Sequence, residues 1–300
     1  MAAFSASDAA FEGFRITRER PLAVAIWVGL YIAYQAALLV LVMPRMASFM
    51  SVIQQQTQSG ATADPTAVLN AYSEVAPAYA ILMPIALIVN ALMQCAVYRS
   101  VIRPQDRGFG FLKLSGDELR VLAVQIAISL LLGVGVFVGL LLATAVGAGV
   151  AAASQPVGVL VGAALLAAVI CAFTFVAVRL SLAPVMTFAE RDFRVFESWT
   201  ATRGLFWPLL GAYLLAFVMG LLVTILVSIV SAMATFAVAA ATGTAQTAAQ
   251  GNFDPALLTS PPVITGVLFQ GVISALFSII LLAPAAAVWM RLRGQGRAFD

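Results

Sequence analysis

The sequence predicts an all-α fold: a polytopic helical membrane protein with six transmembrane helices in three parallel hairpin units and cytoplasmic interfacial helices. Three observations carry this expectation. Six long apolar runs lack Asp, Glu, Lys and Arg, fifteen of the sixteen Lys and Arg fall to one side of those runs, and two stretches of the first third recur in the last. The chain is read as a single integral membrane domain over 1–300, with repeat units at about 4–102, 107–187 and 188–297.

The runs cover roughly 21–43, 76–98, 121–150, 157–178, 207–240 and 263–290. Each reaches the ~20 residues that cross a ~30 Å hydrocarbon core at about 1.5 Å per residue. Composition agrees: 62% of residues are hydrophobic, 10% are charged, and mean hydropathy is +1.02. Soluble domains carry about 25% charged residues. The spans and their connections leave no stretch for a soluble catalytic domain of about 50–200 residues.

The N-terminal segment 5–19 suits an interfacial helix, because Phe4, Phe11 and Phe14 fall on one face and Asp8, Glu12 and Arg15 on another. Arg15, Arg18 and Arg20 then precede a first apolar run too long for the core of a signal peptide, so that run reads as an uncleaved span. Beyond it, Met46, Phe49, Met50 and Ile53 keep helical spacing and predict a separate surface helix. Asp64-Pro65 and Asp254-Pro255 resemble an N-cap followed by proline at the first helical position. A short turn around Ala153-Ser154-Gln155-Pro156 separates the third and fourth runs. Pro84, Pro184 and Pro284 predict kinks, since proline removes a helical N–H. Residues 189–203 are expected to form a second interfacial helix, with Phe196 and Trp199 on its apolar face.

Orientation follows from the basic residues. Arg45 stands alone on one side, while the N-terminus, the connections at 99–120 and 179–203, and the C-terminus hold the rest. Short cytoplasmic loops collect Lys and Arg, so both termini and the loops near Arg107 and Arg194 are expected in the cytoplasm of a bacterial inner membrane. The net charge of +3 and pI near 9.1 imply no nucleic-acid partner, because the cations sit at span ends as topology signals.

The repeat is visible residue by residue. Phe11-Glu12 and Thr17-Arg18 recur as Phe196-Glu197 and Thr202-Arg203, a shift of 185. Gln56-Thr57 and Asp64-Pro65 recur as Gln246-Thr247 and Asp254-Pro255, a shift of 190. The same layout, with a shorter external turn, recurs between Phe109 and Val178.

Residues able to do chemistry are few. Histidine is absent, which removes the usual general base and metal ligand, and no cofactor or metal is expected. Cys95 and Cys171 lie in apolar runs and read as small buried hydrophobes. No phosphate-loop, serine-hydrolase or zinc-protease motif occurs, and Gly108-Phe109-Gly110-Phe111 lacks the Lys-Ser/Thr of a phosphate loop. The intramembrane polar candidates are Asn90, Gln94, Gln125 and Gln270, with Gln35, Ser274 and Ser278, each expected to bond between helices. Gly133, Gly135 and Gly139 are expected to allow close helix approach. The carboxylates among the arginines read as weak interfacial ion pairs. Arg179 is expected to be the most buried charge, snorkelling to the boundary, where with Arg203 it would hold a lipid phosphate or pair with Glu190 or Glu197.

Arg179-Leu180-Ser181-Leu182-Ala183-Pro184 followed by Ser198-Trp199-Thr200-Ala201-Thr202-Arg203-Gly204-Leu205-Phe206-Trp207 resembles the membrane domain found ahead of some glycerophosphoryl diester phosphodiesterases. The likeness covers about thirty residues of 300. It implies fold, location and dealings with phospholipid. The phosphodiesterase domain itself has no counterpart here, so its activity does not carry over. The expected function is therefore that of a non-enzymatic scaffold or phospholipid-interacting accessory factor, with membrane phospholipids and an unidentified membrane protein as candidate partners. The alternative is a transporter or channel for a small or lipophilic substrate, which would need a cavity lined by Asn90, Gln94, Gln125 or Gln270.

Overall fold

A computed structural model describes residues 5–59, 65–106, 108–244 and 259–294, and among them it contains helices and no strand. Phe4, Asp64, Arg107, Gln246, Thr247, Asp254, Pro255 and Arg297, on which the sequence reading drew, lie outside the described residues. The helices are α1 (Ala6–Ala10), α2 (Glu12–Glu19), α3 (Pro21–Ser59), α4 (Pro65–Ile102), α5 (Gly116–Ala151), α6 (Gln155–Leu180), α7 (Ala183–Glu190), α8 (Glu197–Ala201), α9 (Phe206–Thr242) and α10 (Pro261–Gly294). Six of them, α3 to α6 with α9 and α10, are long and apolar enough to cross a membrane.

Their lengths follow from composition. Leu, Val, Ala and Ile dominate the runs, and no charged residue interrupts them. At about 1.5 Å per residue, the 39 residues of α3 extend well beyond a ~30 Å hydrocarbon core. The surface helix expected from Met46 onward is not separate. It continues α3 straight through Pro44, whose missing N–H removes one bond from an otherwise intact helix. Pro77 and Pro84 likewise lie inside α4, and Pro284 inside α10. Pro184 acts differently: α6 stops at Leu180, and α7 starts at Ala183 with the proline in its first turn. Pro184 cannot donate to the Leu180 carbonyl, and side chains described below take the end of α6.

The expected helix over 189–203 is also corrected. Arg191 adopts a left-handed conformation, φ 60°, that ends α7, and only Glu197–Ala201 is helical beyond it. The segment 5–19 divides into α1 and α2, with Ser5 capping the Asp8 N–H. Ala9 and Ala10 are buried while Phe11 is half exposed, so α1 packs by its small residues.

The chain forms two compact units. The first comprises Met1–Gly13, Gln94–Ala216 and Leu282–Asp300, and the second Phe14–Met93 and Phe217–Leu281. The core of the first is built on Tyr98, Met186, Phe188, Leu209, Val288 and Trp289. Within it α5 and α6 pack against one another across a turn at 152–154. Gly133 and Gly135, the glycines expected there, face open space. The close approach is made by others: a Cβ on Gly147 would lie 3.0 Å from the Gly162 Cα, and one on Gly158 would lie 2.4 Å from Ala151 backbone. Of Gly133, Gly135 and Gly139, only Gly139 meets a neighbour, Val169 at 3.0 Å.

The second unit has an apolar cluster of Val42, Val75, Ala78 and Leu82 and a polar ladder between α3 and α10. Tyr31 Oη and Ser278 Oγ are 2.8 Å apart, and Gln35 Nε2 donates to Ser274 Oγ at 3.3 Å. Both pairs are four residues apart on both helices, so one face of each helix supplies the whole ladder. Burial differs sharply among the spans. In α10, 56% of the most apolar window is buried, against 6% in α5 and 0% in α6. A helix apolar all round that protein leaves largely uncovered requires an apolar surrounding.

Candidate functional site

The densest polar feature of the first unit lies where α4 ends, α5 begins and α7 ends. Arg99, in the last turn of α4, is 1% exposed, so Arg99 and not Arg179 is the deeply buried cation. Its two terminal nitrogens donate to Glu118 Oε1 and to the Phe111 carbonyl. Its Nε has no hydrogen bond, the nearest carboxylate being Asp106 at 3.7 Å. The guanidinium also lies 5.4 Å from the centre of the Phe188 ring. Weak interfacial pairing describes the exposed Arg15–Glu19 contact but not Arg99–Glu118, whose side chains are 2% and 6% exposed. Breaking a buried pair by removing one partner costs about 3–5 kcal/mol, because the other charge is stranded.

Local sequence explains why Glu118 is there. Ser115-Gly116-Asp117-Glu118 forms a capping box at the start of α5, in which Glu118 Oε2 accepts from the Ser115 N–H at 2.9 Å. This satisfies orphan donors of a 36-residue helix and leaves the other carboxylate oxygen for Arg99. The short 3₁₀ turn Phe109–Phe111 places its carbonyl on the far side of the same guanidinium.

Around this pair three cations share one carboxylate. Asp117 accepts from Arg103 at 3.1 Å and Arg120 at 2.8 Å, and Arg191 Nε stands 3.8 Å away. Arg103 also donates to the carbonyls of Phe188 and Ala189 at 3.1 and 3.2 Å, closing the C-terminus of α7, and stacks 4.8 Å from the Phe188 ring centre. Lys113 bonds Asp106. That hydrogen bond is the largest influence on Asp106; it outweighs the opposing desolvation and, with the charges of Lys113, Arg99 and Arg103, holds the carboxyl below its ordinary pKa. These groups line a polar cavity of about 270 Å³. Among the described residues two non-glycines take positive φ, Phe111 at 64° and Arg191 at 60°, and both border this cluster.

The residues expected to form the site are placed elsewhere. Arg179 lies against both rings of the edge-to-face pair Phe175 and Trp199, at 5.3 and 5.5 Å from their centres, and donates to the Trp199 carbonyl at 3.4 Å. Neither expected carboxylate pairs with it: Glu190 and Glu197 each lie 2.6 Å from Arg194. The Arg179 carbonyl, left over at the end of α6, accepts from Ser198 Oγ at 2.8 Å and Thr202 Oγ1 at 3.3 Å. Arg203 is exposed, next to Thr202 in the chain.

Asn90 is exposed and bonds the Ala86 carbonyl of its own helix. Gln94 and Gln125 each carry a buried side-chain oxygen without a partner. Gln270 belongs to the second unit, where it lines a groove of about 550 Å³ with Ser228, Ser231 and Thr235. Cys95 is buried and Cys171 exposed, both as free thiols. Among the described residues, no group of three Cys, Asp or Glu is placed to hold a metal ion.

In the sequence Arg99, Arg103, Lys113, Arg120 and Arg191 read as topology signals and as members of weak interfacial ion pairs, with nothing to mark them as one cluster. The signal within reach was the Ser-x-x-Glu capping box flanked by basic residues on both sides of a tight connection. Compared with family models, curated proteins and solved structures, the chain matches none.

Proposed function

We propose that the chain is a multi-pass protein of a bacterial inner membrane, both termini cytoplasmic, that acts without catalysis as a scaffold or phospholipid-interacting accessory factor. The observation that carries this reading is the α4–α5–α7 junction. A cluster of cations sits at the ends of apolar helices, and Phe109, Leu114, Phe193, Phe196 and Trp207, in the connections between the long helices or at the start of α9, are exposed. Aromatic side chains at span ends favour the headgroup region. Cations there gain about 1 kcal/mol each beside anionic lipid.

The duplicated sequence gives further support. Each outer copy begins with a short helix, α2 or α8, ahead of a long one, α3 or α9. The packed pair α5 and α6 supplies the central hairpin. The likeness of 179–207 to the membrane domain of glycerophosphoryl diester phosphodiesterases favours the same location, and Ser198 and Thr202 give that stretch a structural task at the end of α6.

Mass spectrometry of lipids and proteins retained after gentle purification tests the reading. Anionic phospholipid enriched over the bulk membrane is the expected result, and its absence, with no retained protein, overturns it. Reporter fusions after Gln58 and Gly251 should read as exterior, and those after Gly108 and Asp192 as interior.

The groove beside Gln270 favours a second reading, a path for a small or lipophilic substrate along α9 and α10. Substrate flux in proteoliposomes, lost on Gln270→Leu, would select it.

A further inference from the structure

We propose that the cavity at the α4–α5 junction binds a phosphate group through Arg103, Lys113, Arg120 and Arg191, with Arg99 beneath. This rests on the phospholipid-interacting reading and names a site for it. Five cations meet there with three carboxylates, Asp106, Asp117 and Glu118, so two positive charges lack a counter-ion within the cluster. A purely structural network at the edge of an apolar protein is stabler when its charges balance, since like charges in low dielectric repel strongly.

The arrangement has the chemistry of an oxyanion site. Asp117 already shows that three guanidinium groups converge on one acidic group. Arginine forks suit the several acceptor oxygens of phosphate better than single-point donors do. Arg99 adds an Nε–H that makes no hydrogen bond within a side chain 2% exposed. A helix start favours anions as well. Size is adequate, because a water takes about 30 Å³ of liquid and the cavity measures about 270 Å³. Arg191, which lines the cavity, and Phe111, whose carbonyl accepts from Arg99, hold left-handed backbone, a conformation that costs non-glycine residues about 1–3 kcal/mol and gathers at functional sites.

The phosphate can belong to a lipid headgroup or to a soluble ester, and two measurements separate them. The full chain in nanodiscs containing phosphatidylglycerol and phosphatidylcholine is assayed for retained lipid by native mass spectrometry, and the detergent-purified chain is titrated with inorganic phosphate by calorimetry. Each is repeated with Lys113→Gln/Arg191→Asn, where asparagine tolerates the left-handed backbone, and with Arg15→Gln/Arg18→Gln, which removes equal charge outside the cavity. The cavity variant should hold phosphate about tenfold more weakly than the control variant. Loss of phosphatidylglycerol alone assigns the headgroup, and loss of the phosphate titration assigns a soluble ester. Should the double variant fail to fold, Arg120→Lys is read instead, with weakening expected because the fork is gone. Equal behaviour of cavity and control variants overturns the site while leaving the phospholipid reading intact. A wild-type chain that neither prefers phosphatidylglycerol nor binds phosphate overturns both.

Discussion

Arg99 and Glu118 face each other across the α4–α5 junction as an ion pair closed to solvent, their side chains 2% and 6% exposed. The pair joins the end of one candidate span to the start of the next, 19 residues on, while the same arginine holds the intervening turn through the Phe111 carbonyl.

Removing one partner should therefore hurt more than removing both. Glu118→Gln or Arg99→Met is expected to destabilise the protein by about 3–5 kcal/mol, and Arg99→Met/Glu118→Leu by less than either single change. Unfolding in mixed detergent micelles measures the comparison. Additive losses would show that the two charges do not depend on each other.

The ladder between α3 and α10 allows a cleaner measurement. Tyr31→Phe and Ser278→Ala each delete one hydroxyl of a 2.8 Å contact, with little change of shape. Their double-mutant cycle should give a coupling of about 0.6–2 kcal/mol, the range for hydrogen bonds between membrane helices. Zero coupling would mean that the hydroxyls find other partners.

Close approach of α5 and α6 predicts opposite tolerance at two glycines. Gly158→Val would drive a side chain into Ala151 backbone, whereas Gly133→Val meets open space. Thermal unfolding followed by size-exclusion chromatography should show a loss of several degrees for the first and little change for the second. Equal midpoints would contradict the packing of this hairpin.

Acid should act through Asp106. The Lys113 hydrogen bond, then its charge and those of Arg99 and Arg103, hold the Asp106 pKa below its ordinary value. A depressed carboxyl pKa stabilises the folded state above the unfolded value, about 3.9 for aspartate, and that contribution disappears as pH falls through the lower, folded value. Wild-type protein should accordingly lose stability more steeply below about pH 4 than Asp106→Asn does. Superimposable acid curves would remove the carboxylate from the account.

Sequence by itself determined that this protein is helical and where its six long apolar helices run. Continuous hydrophobicity over more than 20 residues needs no tertiary information to be recognised. It also identified Gln35, Ser274 and Ser278 as groups bonding between helices, but Asn90 bonds its own helix and the buried Gln94 and Gln125 side-chain oxygens have no partner. It did not show that Met46 to Ile53 continue α3, since the spacing that marks a surface helix is also the spacing of an extended one. Nor did it show that Gly147 and Gly158, and not Gly133, make the close contact. That depends on which face of α5 turns to α6, and a helix apolar all round carries no mark of it. Tertiary structure alone decided the burial of Arg99. Its depth comes from Phe188 on α7, the carbonyl of Phe111 and the capping-box glutamate of α5, three groups 12 to 89 residues away in the chain. Desolvation is set by what packs around a charge, and only the folded chain brings those groups to it.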